Sequence, residues 1–352
     1  MSLHHHGWNE FFAHQWEAFE KEGLRPARVI SSSSGMVRLL TDQGEHLGTL
    51  AGRLRLEAGG SGVPVAGDWV AVRMAAGATP RVEALLDRRT KLSRKAAGRR
   101  TDEQVVAANI DLVLVVMGLD GDFSLRRLER LVALIEESGA AGAVFLNKRD
   151  LCAEASARLE SVRETARGAE VLMGSCLLED GLEAVRALLP VGSTAALVGS
   201  SGAGKSTLIN RLLGKSVQVT AAVRRGDDRG RHTTTRRELF LLPGGGMLID
   251  NPGIREVQLW GDERGLERAF DDVAGLAGSC RYRDCAHDTE PGCAVNEAVA
   301  SGRLAPERLR SYRALAGELR YLELRQDGAA QREQRRQWRA VHRAIKRSRR
   351  NR

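Results

Sequence analysis

Gly199-Ser-Ser-Gly-Ala-Gly-Lys-Ser206 lies between an apolar run, Thr194-Ala-Ala-Leu-Val198, and a segment with helical spacing, Thr207–Leu213. Strand, glycine loop and helix in that order put backbone N–H groups at a helix N-terminus, where they can cradle phosphates. Earlier in the chain, Ala143-Val-Phe-Leu146 runs directly into Asn147-Lys-Arg-Asp150, whose terminal carboxylate can accept from the N1 and N2 hydrogens of guanine. In an ordinary G domain the phosphate loop comes first and the base-reading motif near the end. Here the order is base, phosphate, switch, which predicts a circularly permuted G domain. The alternation of strands and helices around these motifs predicts a doubly wound parallel sheet.

Each motif has a chemical reading. Gly199, Gly202 and Gly204, with Ser200, Ser201 and Ala203 between them, let the loop turn its N–H groups inward. Lys205 brings charge to the β- and γ-phosphates, Ser206 offers a hydroxyl to Mg²⁺, and Thr207 continues the nucleotide-contacting turn. Asn147 suits one edge of the base and the stem of Lys148 its ring face, while Asp150 selects guanine. Gly174-Ser175-Cys176 fits the last base-reading loop, through a backbone N–H to the guanine oxygen. Asp250-Asn-Pro-Gly253 has the pattern of a second switch, with Asp250 at Mg²⁺ and the Gly253 N–H at the γ-phosphate. Gly230-Arg-His-Thr-Thr-Thr235 suits the first switch, where Thr234 or Thr235 reaches the same ion. Ile254 stands where many GTPases carry a water-orienting glutamine. An aliphatic side chain cannot do that, so slow hydrolysis in isolation is expected, with His232 as the catalytic candidate beside Lys205 and Gly253.

Around this centre, Ile110–Met117 is a continuous apolar run of the kind that forms a buried parallel strand. Leu125, Leu128, Leu131, Val132 and Ile135 mark an amphipathic helix, and Leu239–Leu242 and Met247–Ile249 two more strands. Before them, Ala27–Ile30, Met36–Leu40, His46–Leu50, Trp69–Arg73 and Val82–Leu86 suit a small Greek-key barrel of the OB type, though their spacing also permits an SH3-like barrel. Trp69 is the only aromatic residue between Leu24 and Arg100, which argues against a base-stacking platform there. Trp8, Phe12, Trp16 and Phe19 follow helical spacing and predict a helix packed on a neighbouring domain. His4, His5 and His6 also suit a tag remnant and carry no metal argument.

Cys280-x4-Cys285-x-His287-x5-Cys293 offers three thiolates and an imidazole, a tetrahedral zinc set that leaves no position for water and is therefore structural. Cys152 and Cys176 are isolated, and an odd total of five cysteines argues against a disulfide framework. Leu309, Tyr312, Leu315, Leu319 and Leu322 form an apolar helical stripe in the same region, whose small core should need the metal to fold. The expected division is a helical extension or tag remnant (1–23), an OB barrel (24–97), a permuted GTPase domain (98–262), a helical zinc-binding domain (263–330) and a basic tail (331–352).

With 352 residues and 42% hydrophobic content the chain can build several cores, and no run approaches the roughly 18 to 20 apolar residues of a membrane span. Neither a membrane nor a secretion signal is indicated, so a cytoplasmic location is expected. Net charge is +9, and residues 331–352 hold ten Lys/Arg and one Glu, also +9, which leaves the body formally neutral. Such a tail suits a polyanion, RNA foremost, although it would also serve solubility. Arg88, Arg89, Lys91, Arg94, Lys95, Arg99 and Arg100 form a second basic stretch, read as a phosphate contact in preference to a solvated linker.

Taken together, these motifs resemble the RsgA or YjeQ family of GTPases that depend on the small ribosomal subunit. The resemblance rests on Val65-Ala-Gly-Asp-Trp-Val70, Glu103–Asp111, Asn147–Asp150, the permuted loop and switches, and the Cys/Cys/His/Cys cluster, and covers nearly the whole chain. Asn251 and Cys176 depart from the usual serine or threonine and the usual alanine. The resemblance implies a monomeric factor that binds the 30S subunit and its 16S rRNA, hydrolyses GTP to GDP when stimulated there, and uses hydrolysis to leave or to release a companion factor. Two other classes fit parts of the pattern. A GTP-sensing RNA-binding switch with negligible turnover would keep every motif, whereas an ATP-dependent RNA remodelling enzyme is opposed by Asp150.

Overall fold

The five N-terminal runs become strands β1 (Arg25–Ser33), β2 (Met36–Thr41), β3 (Gly44–Leu50), β4 (Trp69–Arg73) and β5 (Arg81–Leu85) in the computed structural model, which describes residues 2–33, 35–52, 54, 62–75, 77–95, 103–214, 237–251 and 263–326. They close in the order β1-β2-β3-β5-β4, antiparallel except where β3 meets β5. Closure removes exposed strand edges, and this Greek-key order is that of an OB barrel. Val29, Val37, Leu39, Val70, Val72 and Val82 fill its interior, each contributing about 1.5–3 kcal/mol of burial.

Helix α1 (Glu10–Glu20) starts where Asn9 accepts the Phe11 N–H at 3.1 Å. Its aromatic face covers the barrel, with the Trp8 and Phe12 rings 4.7 and 5.9 Å from Trp69. Leu3–His6 form a 3-10 turn capped by Ser2, and His6 is buried within the folded unit.

One buried cation fastens barrel to sheet. Arg28 donates to Gly67 O at 3.1 Å, Asn109 O at 2.9 Å and Thr194 Oγ1 at 3.0 Å, and also to His6 O. Burial lowers its pKa to about 10. In the basic stretch after the barrel, Arg88 turns inward in the same way, while its neighbours pair at the surface. Arg88 grips the fully buried Asp68 through two 2.8 Å bonds, Arg89 pairs with Asp111, Lys91 with Glu103, and Arg94 with Gln104. Arg88 therefore has a structural role in place of the expected phosphate contact, whereas Arg89 and Lys91 keep exposed side chains in their ion pairs, and Arg99 and Arg100 lie outside the described residues.

A short ribbon of β6 (Lys91–Lys95) and β7 (Glu103–Ala108) leads into six strands: β8 (Leu112–Gly118), β9 (Ala141–Asn147), β10 (Glu170–Met173), β11 (Thr194–Val198), β12 (Glu238–Leu241) and β13 (Met247–Asp250). Their order is β10-β9-β8-β11-β13-β12, parallel apart from the antiparallel edge pairing of β12. Every residue of β8 and β11 is buried, as expected of central strands covered on both faces. Helices α2 (Leu125–Ser138), α3 (Ala155–Thr165), α4 (Leu182–Ala187) and α5 (Lys205–Leu213) connect them. The barrel and sheet form one compact unit, Met1–Arg94 with Glu103–Val257.

The second unit holds α6 (Glu263–Ala269), α7 (Asp271–Ala277), α8 (Ala294–Ala300) and α9 (Pro306–Gln326). Its core is small. Leu309, Leu315 and Leu319 of the expected stripe are buried, Tyr312 sits 5.6 Å from the ring of buried Phe270, and the Leu322 side chain lies outside the described residues. Arg308 covers Phe270 at 4.0 Å and bonds Asp272 at 3.0 Å. Among the described residues, no helix is long and apolar enough to cross a membrane.

Candidate functional site

Strand adjacency reunites what the chain order separates. Strands β9, β8, β11 and β13 are neighbours and parallel, with Gly118 opposite Asn147, Val198 opposite Val115, and Leu197 opposite Asp250. Their C-terminal ends therefore share one edge, where open α/β sheets bind ligands. Asn147–Asp150, Gly199–Ser206 and Asp250 all emerge there.

The phosphate loop needs glycine for two distinct reasons at Gly199 and Gly204. Both have positive φ, +141° and +102°, and a Cβ would lie 2.2 Å from Val116 O at the first and 2.1 Å from Asn147 Nδ2 at the second. Lys205 opens α5, and its Nζ donates to Gly199 O and Ser200 O at 2.7 Å, so the charge is held against the loop. Ser206 and Thr207 are half-buried in the first turn; Ser201 and Gly202 are exposed and Ala203 is buried.

On the base side, one carboxamide joins two motifs. Asn147 Nδ2 donates to Ala203 O at 2.8 Å, and its Oδ1 accepts the Cys176 N–H at 2.9 Å. The Cys176 N–H that the sequence assigns to the guanine oxygen is thus already engaged, and a base would have to share it. Ser175 exchanges backbone bonds of 3.1 and 3.0 Å with Asp180, which closes this loop. Burial pushes the Cys176 thiol up to about 12, which keeps it an inert packing group. Lys148 adopts the left-handed conformation at φ +65° and pairs with Asp120 at 2.6 Å. Asp150 is exposed in the 3-10 turn Arg149–Leu151.

Asp250 is 3% exposed, and burial raises its carboxyl to about 6 against the opposing charge of Lys205, with Glu238 adding to the rise. A carboxylate and the Ser206 hydroxyl are hard oxygen donors, the type Mg²⁺ requires. His232, Thr234, Thr235, Gly253 and Ile254 lie outside the described residues, as does the tail 331–352.

In the second unit, one ligand atom from each of Cys280, Cys285, His287 and Cys293 falls within 4.8 Å of the others. Cys280 Sγ and Cys293 Sγ are 3.9 Å apart, and His287 Nδ1 is 3.6 and 3.5 Å from them. A tetrahedron with metal–sulfur bonds of about 2.3 Å has edges of about 3.8 Å, so the spacing fits one metal ion. Burial holds the His287 imidazole below its ordinary range, favouring the neutral form that ligates. Desolvation and hydrogen bonding with neighbouring thiols push Cys285 up to about 11 without an ion. None of the five cysteines is disulfide-bonded.

Sequence reasoning missed three supporting carboxylates. Glu290 accepts the N–H groups of Ala286 at 2.9 Å and Asp288 at 2.7 Å, bracing the turn that carries His287. Asp120 holds Lys148, and Asp122 accepts from Ser200 Oγ in the phosphate loop. A Gly-Leu-Asp-Gly-Asp run at the C-terminal end of the longest apolar strand was the available signal.

The family model described as RsgA GTPase matches residues 85–260. A small ribosomal subunit biogenesis GTPase RsgA from Opitutus terrae is 45% identical, over 97% of this chain and 96% of its own. One of the same description from Syntrophotalea carbinolica is 42% identical, over 99% and 98%. Among solved structures, YjeQ from Thermotoga maritima aligns with a TM-score of 0.63 and 26% identity, covering 84% of this chain and 98% of that one. YloQ, a circularly permuted GTPase, shares the fold with a TM-score of 0.58 and 21% identity, over 84% and 95%.

Proposed function

The chain belongs to the RsgA GTPase family and is a GTP hydrolase, and we propose that it binds the small (30S) ribosomal subunit in late maturation, contacts 16S rRNA and hydrolyses GTP to GDP when stimulated there. The observation that supports the GTP site is the meeting of the Asn147–Asp150 turn, the phosphate loop and Asp250 on one sheet edge despite their permuted order, and the subunit part of the reading is supported by the description of the relatives.

In this site Gly199–Thr207 wrap the phosphates, with Lys205 neutralising the charge that develops on the transferred group. Asp150 accepts from the base, and Asn147, Lys148, Ser175 and Cys176 shape its pocket. Ser206, Asp250 and Thr234 or Thr235 would hold Mg²⁺, which supplies charge to the phosphate oxygens when bound. Gly253 senses the γ-phosphate, and His232 stands in for the missing glutamine in orienting water. Loss of the γ-phosphate releases both switch segments. The Cys280/Cys285/His287/Cys293 cluster takes one structural zinc. The division at 24–97, 98–262, 263–330 and 331–352 follows these roles, with the arginine-rich tail directed to RNA. We place the protein in the cytoplasm as a monomer.

The test is GTP hydrolysis with and without purified small subunits. A rise of tenfold or more in turnover is expected. Binding of GTP with no stimulation would leave a GTP-sensing switch in place of a subunit-dependent enzyme, and equal use of ATP would overturn the base assignment.

A further inference from the structure

The Leu119–Ser124 loop, between β8 and α2, touches both halves of the nucleotide site. Its Leu119 N–H donates to Asn147 O at 2.9 Å. Asp120 Oδ2 accepts from Lys148 Nζ at 2.6 Å, and Lys148 stands two residues before Asp150 in the base-reading turn. Asp122 Oδ2 accepts from Ser200 Oγ and from the Gly118 N–H, the latter at 3.4 Å. Ser200 O in turn accepts from Lys205 Nζ at 2.7 Å. The two carboxylates, with only Gly121 between them, thus reach different motifs.

The loop is itself braced. Arg127 Nη1 donates to Asp122 Oδ1 at 2.6 Å and to Asp122 O at 3.0 Å. The Asp122 N–H donates to Asp120 Oδ1 at 3.2 Å, and Ser124 caps α2. Arg158 donates to Leu119 O at 2.8 Å and covers the Phe123 ring at 4.8 Å. A loop held from both sides transmits position, because its carboxylates cannot follow a displaced partner.

We propose that this loop is the positioning element of the nucleotide site, Asp122 setting the phosphate loop through Ser200 and Asp120 setting the guanine-selective turn through Lys148. Neither carboxylate touches substrate; each acts through the residue it holds. The proposal rests on the GTP-site reading above and adds a division of labour to it.

Binding of GTP, GDP and ATP in the presence of Mg²⁺, measured by calorimetric titration on the full chain, tests the division. Asp122→Ala and Ser200→Ala should each weaken GTP and GDP about tenfold. Their double variant should be no worse than either single one, and the preference for GTP over ATP should stay at the wild-type ratio. Asp122→Asn keeps an acceptor for Ser200 and should recover most of the loss. Asp120→Asn should instead narrow the GTP-to-ATP ratio about fivefold or more. The proposal is overturned if the Ser200→Ala and Asp122→Asn·Ser200→Ala variants bind GTP within twofold of wild type, if the single effects add, or if Asp120→Asn leaves the ratio unchanged. These arms stand even where Asp122→Ala fails to fold. A wild-type chain that binds no GTP would overturn the site reading itself, and this one with it.

Discussion

Asn147→Ala removes two hydrogen bonds whose partners have no access to water. Ala203 is 0% exposed and Cys176 1%, so the Ala203 carbonyl and the Cys176 N–H would both be left buried without the amide that satisfies them. Each orphaned group costs about 1–3 kcal/mol, giving an expected loss of about 2–6 kcal/mol. A typical domain has only about 5–15 kcal/mol to lose. The same change unties the phosphate loop from the Gly174–Cys176 loop, so the GTP Kd should rise by about 10- to 100-fold. Urea denaturation of the nucleotide-free protein reads the first effect as a lowered midpoint at constant slope, and titration calorimetry reads the second. Asn147→Asp sharpens the test. It keeps the acceptor for Cys176 but sets a carboxylate oxygen against Ala203 O, which raises its folded pKa above the unfolded value of about 3.9. The penalty is therefore full above the raised pKa and eases as pH falls through it, when the neutral acid can donate to Ala203 O again. An Asn147→Ala midpoint and Kd within twofold of wild type, or a pH-independent Asn147→Asp penalty, would refute the bridging role.

Four further outcomes are expected. His232→Ala should lower turnover stimulated by small subunits about a hundredfold or more with the GTP Kd unchanged; full stimulated turnover would remove His232 from the mechanism. Asp150→Asn should weaken GTP at least about tenfold and favour xanthosine triphosphate, whose 2-oxo group accepts where guanine donates, as competition binding would show. Chelation should release one zinc per chain and melt helices α6–α9, read by a chromogenic zinc assay together with circular dichroism; retained helicity would show that the core suffices without metal. Asp68→Asn breaks a bidentate pair in which Arg88 is 10% exposed and Asp68 fully buried, so about 3–5 kcal/mol should be lost in scanning calorimetry.

The barrel strands and the central sheet strands were legible because each carries its own local signal. Trp69–Arg73 and Thr194–Val198 are apolar runs bounded by turn residues, and the structure places β4 and β11 at those bounds. Elements with weak patterns were not legible. Helix α3 buries only Ala155 and Val162 among its eleven residues, and β10 has four residues with none fully buried. Charge was legible as composition but not as placement. Arg88 to Arg100 read as a stretch for phosphates, yet Arg88 itself is spent on Asp68, a carboxylate twenty positions away.

Residue type by itself pointed to the nucleotide and metal chemistry proposed for this protein. Glycine tolerates the positive φ of the phosphate loop, a carboxylate after Asn147-Lys-Arg is the type that can select guanine, and three cysteines with a histidine offer a tetrahedral set. The fold class was also legible, because strands and helices alternate along the chain with periodicities of their own. Tertiary structure decided which polar group holds which. Asn147 reaches Ala203 across 56 positions, Ser200 reaches Asp122 across 78, and Arg28 reaches Thr194 across 166. Periodicity and propensity describe neighbours along the chain, whereas the first two bonds exist because parallel strands bring remote segments to one edge, the third because the barrel packs on the sheet, and burial then favours a partner for each polar group.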